Sequence, residues 1–328
     1  MNSSRLGVAV IGAGYWGKKL VGEYLALSKE RNDTELRYVV DIDKDRLASV
    51  ADDFDLPRKM LETDSSKIFK DRSVQAIHIA MPNQLHFAFG MEALENRKHV
   101  LLEKPMALTL RDALKLARKA EEESLVLCVG HIFRFNNAVR EARMLLSQGV
   151  VGKPLYYHLY WEALLRPPEG RDIILDLGPH PADIINFLSN EWPTQVLTLG
   201  KSFQRRKPNR EEVAETVAEF EDDVFAHICL SWLYAGPRKR NISVTGDLGT
   251  IEVDALNQQI MIYDKQGSRN HSVQPNNTIQ TMIAHFVDSI LEREPPKVSA
   301  LVGAMTVAFL SAMRESMSAR RFVRVLGD

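Results

Sequence analysis

The chain has 328 residues, of which 45% are hydrophobic and 26% charged, and its net charge is −1. This length allows about two domains, and the composition is that of an ordinary globular protein. The near-neutral charge gives no electrostatic basis for binding nucleic acid or an anionic membrane. No apolar run approaches the roughly 20 residues that span a bilayer, and the N-terminal apolar run is too short for a secretory signal. We therefore expect a cytoplasmic protein.

The cysteines and histidines give no sign of a disulfide framework or a metal site. Cys128 and Cys229 lie in strand-like apolar segments, where a free cysteine is a small core residue. The histidines form no H-x-x-x-H pair, and the cysteines do not pair at the spacing typical of zinc sites. We therefore expect no bound metal.

The first motif is a glycine-rich turn between an apolar strand and a helix. The apolar run Val8–Ile11 leads into Gly12-Ala13-Gly14-Tyr15-Trp16-Gly17, and a helical pattern follows. In a dinucleotide-binding turn, Gly12 permits the tight bend, Gly14 lets backbone amides approach the pyrophosphate, and Gly17 lets the helix pack on the strand. The positive end of the helix then faces the anion. Taken alone, the pattern also fits a tight turn in any α/β protein.

An acidic residue after the second strand strengthens the dinucleotide interpretation. The strand predicted at Leu36–Ile42 contains Asp41, 24 positions after Gly17 (41 − 17), close to the place of the acidic residue that binds the ribose hydroxyls. A carboxylate there would repel a 2′-phosphate and so favours NAD over NADP, a preference that the nearby basic residues moderate. The alternative role for Asp41 is a helix N-cap, which Asp43 fits better.

Further strands and helices alternate as far as residue 130, which predicts a doubly wound parallel sheet. The predicted strands are Val74–Ala80, His99–Leu102 and Leu125–Gly130, and the predicted helices include Lys44–Phe54, Gln84–Asn96 and a helix capped by Thr109. Ligands of such sheets bind at the carboxyl ends of the strands. The glycine turn, Asp41, Pro82-Asn83 and Lys104 all follow strands, and His86 lies in the first turn of the next helix. We therefore assign residues 1–130 to an NAD-binding domain.

The pattern changes after residue 130 and predicts an α+β domain over residues 131–328. Closely spaced strands joined by short turns imply a mainly antiparallel sheet. The predicted strands are Leu155–Leu164, Glu215–Glu221, Val224–Trp232, Arg240–Thr245, Gly249–Asp254 and Gln259–Asp264; the predicted helices are Asn136–Leu146, Asn276–Leu291 and Val302–Ala319. The stretches Leu165–Arg171 and Gln204–Arg210 are predicted to be mobile loops.

The chemistry of the second half concentrates in Ile174–Leu188. Asp176 and His180 are four residues apart, so at a helix entrance they project on one side. Asp183 could orient the imidazole of His180 by accepting its second N–H. Pro179 suits a first helical position. The alternative is an ordinary helix start, with Asp176 as the cap.

These motifs together resemble the Gfo/Idh/MocA family of NAD(P)-dependent sugar and cyclitol dehydrogenases. The matching pieces are GAGYWGKKL, VVDID, the P-N-x-x-H pattern at Pro82–His86, and HVLLEKPMALT around Glu103-Lys104-Pro105. The family has D-x-G-x-H where this chain has Asp176, Gly178 and His180. Met81 and Asn137 depart from the pattern. The GYWGK wording and Arg134-Phe135-Asn136 look most like members that act on nucleotide-linked sugars.

The resemblance implies a Rossmann domain followed by a domain whose open, mainly antiparallel sheet is an oligomer interface, with a homodimer or homotetramer expected. It implies NAD as cofactor, an alternative being NADP. The implied cofactor-binding residues are Gly12, Gly14, Tyr15, Trp16, Gly17, Asp41, Pro82, Asn83, His86, Glu103 and Lys104; the implied substrate-binding residues are Lys104, Arg134, Asn136, Asp176 and His180.

The expected reaction moves a hydride between a secondary alcohol of a sugar, cyclitol or UDP-sugar and the nicotinamide. Lys104 is the first candidate acid/base, and His180, whose free pKa is about 6.5, is the second. The residues do not decide which takes the proton. Asp176 would hold a substrate hydroxyl or orient the other two. Two alternatives remain: a glycosidase that uses NAD for transient redox, and a non-catalytic NAD-binding regulatory protein.

Overall fold

The computed structural model describes residues 5–167, 171–205 and 210–326. The chain forms two units: the first comprises the residues up to Gly130 together with Ile279–Ala304, and the second comprises His131–Thr278 together with the chain from Met305 onward. The first change of unit falls where the sequence predicted a domain boundary. The segment Ile279–Ala304, which the sequence placed in the second domain, belongs to the first unit instead.

Specific contacts tie the returning segment to the first unit. The N–H of Val129 donates to the carbonyl of Val298 at 3.3 Å, and Arg31 pairs with Asp288 at 2.6 Å. Cys128 forms an isolated antiparallel bridge with Ser299. These partners are more than a hundred residues apart in sequence, so local patterns could not reveal them.

The first unit is built on a parallel sheet of six strands. Its strands are β1 (Leu6–Ile11), β2 (Thr34–Val40), β3 (Leu61–Glu62), β4 (Ala76–Ile79), β5 (His99–Leu102) and β6 (Leu127–Val129); the helices between them are α1 (Tyr15–Glu30), α2 (Lys44–Phe54), α3 (Ser65–Lys70), α4 (Asn83–Glu95) and α5 (Leu110–Glu122). The strand order is β3-β2-β1-β4-β5-β6, and every pair is parallel. This is the strand order of a dinucleotide-binding Rossmann sheet. Every residue of β1 and β4 is buried, as expected for such strands.

The second unit contains a nine-stranded sheet. The helices from residue 131 onward are α6 (Asn137–Ser147), α7 (Ile173–Leu177), α8 (Pro179–Ser189), α9 (Thr278–Leu291) and α10 (Ala300–Ala319); the strands are β7 (Pro154–Glu162), β8 (Gln195–Lys201), β9 (Val213–Glu219), β10 (Phe225–Ser231), β11 (Lys239–Gly246), β12 (Gly249–Asp254), β13 (Gln259–Asp264), β14 (Gly267–His271) and β15 (Val323–Arg324). The order is β14-β13-β12-β11-β7-β10-β9-β8-β15. Only the β7–β10 pair is parallel among these described strands, so the predicted mainly antiparallel sheet is confirmed.

The two faces of this sheet differ in burial. Along β7, Tyr157 and Trp161 are buried, whereas Tyr156, His158 and Tyr160 are half-buried. The half-buried rings contact one another and the neighbouring rings of β10; the ring centroids of His158 and His227, for example, lie 5.5 Å apart. Both faces of this strand therefore carry aromatic side chains.

Helix boundaries follow local signals. Asp43 caps α2 by accepting from the N–H groups of Asp45 and Arg46, and Thr109 caps α5, as predicted. The predicted loops at Leu165–Arg171 and Gln204–Arg210 include residues 168–170 and 206–209, which lie outside the described residues. Within the described ranges, no helix is both long enough and apolar enough to cross a bilayer.

Candidate functional site

The glycine turn has the backbone geometry that a bound pyrophosphate requires. Gly12 has a φ of +104°, and a Cβ there would meet the carbonyl oxygen of Ala80. A Cβ on Gly17 would meet the carbonyl oxygen of Gly12, whereas one on Gly14 would have no described atom within 4 Å. Gly14 is also the N-cap of α1 and supplies no capping side chain. The turn is thus tightly packed at Gly12 and Gly17 and open at Gly14, which fits an anion held by backbone amides.

Asp41 is placed beside this turn by the end of β2. Its Oδ2 accepts from the N–H of Ala13 at 2.8 Å, and its Oδ1 accepts from the N–H of Asp43 at 2.9 Å. The side chain is buried, and Arg46 lies 3.8 Å away. Asp41 therefore holds the glycine turn and offers a carboxylate at the predicted ribose position, but it does not cap α2.

Glu103, at the end of β5, connects the turn with the centre of the sheet. Its Oε1 accepts from Trp16 Nε1 at 2.6 Å and lies 3.4 Å from His78 Nε2, and Tyr24 Oη lies 3.3 Å from His78 Nδ1. Burial opposes ionisation of this carboxyl, but the bonds with His78 and Trp16 and the charge of Lys104 outweigh burial and lower its pKa. Glu103 is therefore fixed to Trp16 on one side and is next to Lys104 in the chain.

The remaining predicted cofactor residues lie in the loops that follow β4 and β5. Pro82 is the exposed N-cap of α4, and Asn83 is buried at the first position of that helix. The ring nitrogens of His86 lie 2.7 Å from the carbonyl of Pro105 and 2.8 Å from that of Met81. His86 thus fastens α4 to the segment directly after the half-buried Lys104. Separately, the ring of Tyr15 is 78% exposed at the glycine turn and lies under Lys19.

In the second unit, Asp176 and His180 flank a break between two helices. Asp176 lies in α7, His180 lies in the first turn of α8, and Gly178 between them keeps right-handed helical backbone angles. The helical phase therefore continues across the break and keeps the two side chains on one side. Arg171 lies 3.3 Å from Asp176, and the ring of His180 packs edge-on against Phe133 at 5.1 Å.

Capping does not explain Asp176. The N-cap of α7 is Asp172, which accepts from the N–H of Leu175 at 2.8 Å, and α8 has no capping side chain. The alternative role considered for Asp176 from sequence is therefore wrong. Asp183 also acts differently from the prediction, because its Oδ1 accepts from Arg134 Nε at 2.6 Å.

Arg134 and Asn136, predicted to bind substrate, make contacts inside the second unit. Arg134 binds Asp183 and Asn186, each at 2.6 Å. Asn136 caps α6 by accepting from the N–H of Val139 and donates to the carbonyl of Ala255 at 2.9 Å. Both side chains are largely buried. These contacts give both residues structural roles, and their binding of substrate stays a prediction.

The sequence interpretation missed Arg240, whose signal lay in the strand periodicity. The predicted strand Arg240–Thr245 alternates apolar and polar residues, and Arg240 shares its parity with the apolar Ile242 and Val244. The structure buries all three on one face of β11. A charged residue on the apolar face of a strand is an informative exception.

Across the described ranges, no group of three or more His, Cys, Asp or Glu side chains could hold a metal ion. The donors at the described strand ends are instead backbone amides, carboxylates and a lysine. This donor set fits a dinucleotide and a hydroxylated substrate.

Comparison with known proteins agrees with this geometry. Residues 6–131 match the GFO_IDH_MocA family, described as "Oxidoreductase family, NAD-binding Rossmann fold", and residues 139–252 match the GFO/IDH/MocA C-terminal domain. A 2,7-anhydro-N-acetylneuraminate hydratase of Mediterraneibacter gnavus is 25% identical over 264 residues, which cover 76% of this chain and 67% of the relative. UDP-N-acetylglucosamine 3-dehydrogenase of Acidithiobacillus ferrooxidans is 26% identical over 321 residues, which cover 94% and 96% of the two chains.

A solved structure shows the same fold along the whole chain. It is an oxidoreductase from Agrobacterium radiobacter in complex with NAD+, L-tartaric acid and magnesium, with a TM-score of 0.87, 21% identity and 98% coverage of each chain. The predicted fold class, oxidoreductase activity and NAD cofactor are confirmed. The chain therefore belongs to the Gfo/Idh/MocA family of NAD-binding oxidoreductases.

Proposed function

We propose that this oxidoreductase is a dehydrogenase or reductase acting on a secondary alcohol of a sugar, a cyclitol or a nucleotide-linked sugar. One observation carries the proposal: Lys104 follows a strand of the dinucleotide-binding sheet, while Asp176 and His180 share one side of a helix entrance in the same chain. Holding NAD requires neither Asp176 nor His180. The names of relatives, which include dehydrogenases of UDP-N-acetylglucosamine and inositol, support this substrate class.

The chain's own residues would handle the substrate and its proton. Bound NAD supplies the nicotinamide that accepts or returns the hydride. In the oxidation, the neutral amine of Lys104 would accept the hydroxyl proton as the hydride leaves; in the reduction, its ammonium would stabilise developing alkoxide and return that proton to the reacting oxygen. His180 is the second acid/base candidate, and Asp176 would hold a substrate hydroxyl. Glu103 and His86 would support Lys104 from the flanking chain.

The cofactor-binding assignments belong to the same proposal. The backbone around Gly12, Gly14 and Gly17 would hold the pyrophosphate, and Asp41 would accept from the ribose hydroxyls. Tyr15, Trp16, Pro82 and Asn83 would border the cofactor. The buried carboxylate of Asp41 favours NAD over NADP.

Substitution of Lys104 tests the proton-transfer role. Lys104→Ala is expected to bind NAD nearly normally and to lose turnover by at least ~10²-fold, the scale of a missing acid/base. Calorimetric NAD titration and NADH absorbance during turnover of a panel of sugars, cyclitols and UDP-sugars measure the two effects. Lys115→Ala is the matched control, because Lys115 is an exposed residue of α5. Unchanged turnover in Lys104→Ala would eliminate the role.

A transient-redox reaction is the second candidate, because one relative is named a 2,7-anhydro-N-acetylneuraminate hydratase. In such a reaction the substrate is oxidised and reduced again within one turnover, so NADH does not accumulate. Steady NADH release with a sugar alcohol supports the dehydrogenase. Product formation without any NADH release supports the transient-redox enzyme.

The proposal includes a cytoplasmic location and a homodimer or homotetramer. The half-buried aromatic face of β7 and β10, which includes Tyr156, His158 and His227, supports self-association. Sedimentation of the purified protein tests this part, and a monomer at micromolar concentration would contradict it.

A further inference from the structure

Arg240 is a buried charge on the inner face of the large sheet. The side chain is 2% exposed, and its guanidinium lies 5.6 Å from the ring centroid of Trp161, its register partner on β7. Trp161 is itself fully buried. Arginine carries five N–H donors and is costly to bury without compensation. Groups around Arg240 must therefore stabilise its buried charge.

The described residues compensate this charge only in part. The guanidinium donates from Nη1 to the backbone carbonyls of Lys239 at 2.7 Å and Glu162 at 3.5 Å. Among the described ranges, no carboxylate oxygen lies within 4.0 Å of it. Burial and, to a smaller extent, the charge of Arg238 lower the pKa of Arg240 to about 9, and the charge of Asp176 opposes this shift.

A second buried arginine of the same unit shows the contrast. Arg134 has a carboxylate partner, Asp183, and an amide partner, Asn186, each at 2.6 Å. Side chains of the same unit therefore compensate the charge of Arg134. Apart from its two bonds to backbone carbonyls, Arg240 has only the longer-range charge of Asp176 to offset its own charge. Beside it, the buried Trp161 Nε1 has no hydrogen-bond partner within the described chain. Among the described residues, the fold thus leaves two adjacent buried groups incompletely compensated, the Trp161 indole N–H without an acceptor and the Arg240 guanidinium without a carboxylate.

Side-chain contacts link Arg240 with the residues proposed for catalysis. Trp161 packs edge-on against Phe133 at 5.2 Å, and Phe133 packs edge-on against His180 at 5.1 Å. Asp176, whose charge acts on Arg240, lies on the same helix side as His180. The basic group therefore belongs to the same cluster of the second unit as Asp176 and His180.

We propose that Arg240 is a specificity-determining residue that binds an anionic group of the substrate, a carboxylate or a phosphate. This assignment rests on the proposed function. The planar guanidinium suits the paired oxygens of either anion, and removal from water makes such a bond strong. The substrate is accordingly an acidic sugar, such as a uronate, or a phosphate-bearing sugar, rather than a neutral polyol.

Calorimetry of the NAD-saturated enzyme with three probes tests the assignment. The probes are D-glucuronate, UDP-glucose and neutral D-glucose. Wild type is expected to bind one of the two anionic probes at least ~30-fold more tightly than glucose, and Arg240→Gln is expected to lose that preference. The preferred probe distinguishes a carboxylate from a phosphate. Arg238→Gln, which removes the same charge from an exposed position two residues earlier, is expected to keep the preference.

Other outcomes would overturn the assignment. It is wrong if wild type binds neither anionic probe more tightly than glucose, or if Arg240→Gln weakens all three probes equally. If Arg240→Gln does not fold, Arg240→Lys is tested instead, because lysine keeps the charge without the planar pair of donors. Full retention of the preference for the anionic probe in Arg240→Lys would then contradict recognition by paired donors. Binding needs no hydride transfer, so NADH absorbance with the same probes reports on the proposed function separately.

Discussion

The bond between Trp16 and Glu103 allows a quantitative test of how the turn is held. Trp16→Phe keeps an aromatic ring but removes the Nε1–H that Glu103 accepts at 2.6 Å. A hydrogen bond to a charged group contributes about 1.5–3 kcal/mol, and Glu103 is buried, so solvent does not replace the lost donor. In a double-mutant cycle with Glu103→Met, we expect a coupling energy of about 1.5–3 kcal/mol.

Native-state hydrogen exchange of the β1 and β5 amides is the appropriate measurement, because it reports local opening in the first unit. A chain of two units need not unfold in a single transition, which makes a global unfolding energy ambiguous. A coupling energy below about 0.5 kcal/mol would refute the reasoning.

The same bond predicts a pH dependence with a definite sign. The pKa of Glu103 lies below its usual 4.5 in the folded protein, despite burial, because of its bonds with His78 and Trp16 and the charge of Lys104. The unfolded chain therefore binds this proton first, so the stabilisation is present above about pH 4.5 and is lost as the pH falls through the lower folded value. Trp16→Phe removes part of this stabilisation, so acidification should lower the stability of the variant by less than it lowers that of the wild type. An equal loss in both proteins would contradict this assignment.

Two further substitutions test roles of single side chains. Asp41→Ala removes the carboxylate that holds Ala13, so it should weaken NAD binding and raise the NADP-to-NAD ratio of kcat/KM by at least ~10-fold. Steady-state kinetics with both cofactors measure this ratio, and a wild-type preference for NADP would contradict the assignment. Arg134→Met leaves Asp183 buried without its ion partner and should lower the free energy of unfolding of the second unit, measured in urea, by about 3–5 kcal/mol. The control Arg143→Met should lower it by less than about 1 kcal/mol, and equal losses would contradict a buried ion pair.

Short-range sequence patterns correctly predicted several helices and strands whose boundaries depend on neighbouring residues. The bounds of α2, β5, β12 and β13 agree with the structure, because their apolar periodicity and flanking turn residues are unambiguous. The strand ends that carry the glycine turn, Asp41 and Lys104 followed from the same alternation. Strand β8 was missed, because its apolar residues face both sides of the sheet and Leu199 is exposed.

The remaining features depend on partners that are distant in sequence. The pairing of Arg134 with Asp183 joins residues 49 positions apart, and no spacing rule connects them. The glycine at 178 likewise has a reason that is distant in sequence, since a Cβ there would meet not only the carbonyl oxygen of Ile174 but also Leu310 of α10, at 2.9 Å. Sequence therefore singled out Asp176 and His180 as the candidate residues of the second unit, but not the tertiary contacts around them.

The return of Ile279–Ala304 to the first unit limits how this protein can be recombined. The chain changes unit after residues 130, 278 and 304, so the nucleotide-binding half is not a contiguous cassette. A fragment ending at residue 130 would remove the carbonyl that accepts from the N–H of Val129 and one of the two carboxylate partners of Arg31. It would also bare the β6 edge of the sheet, a site for aggregation. A chimaera that exchanges cofactor preference between relatives must therefore carry three junctions rather than one.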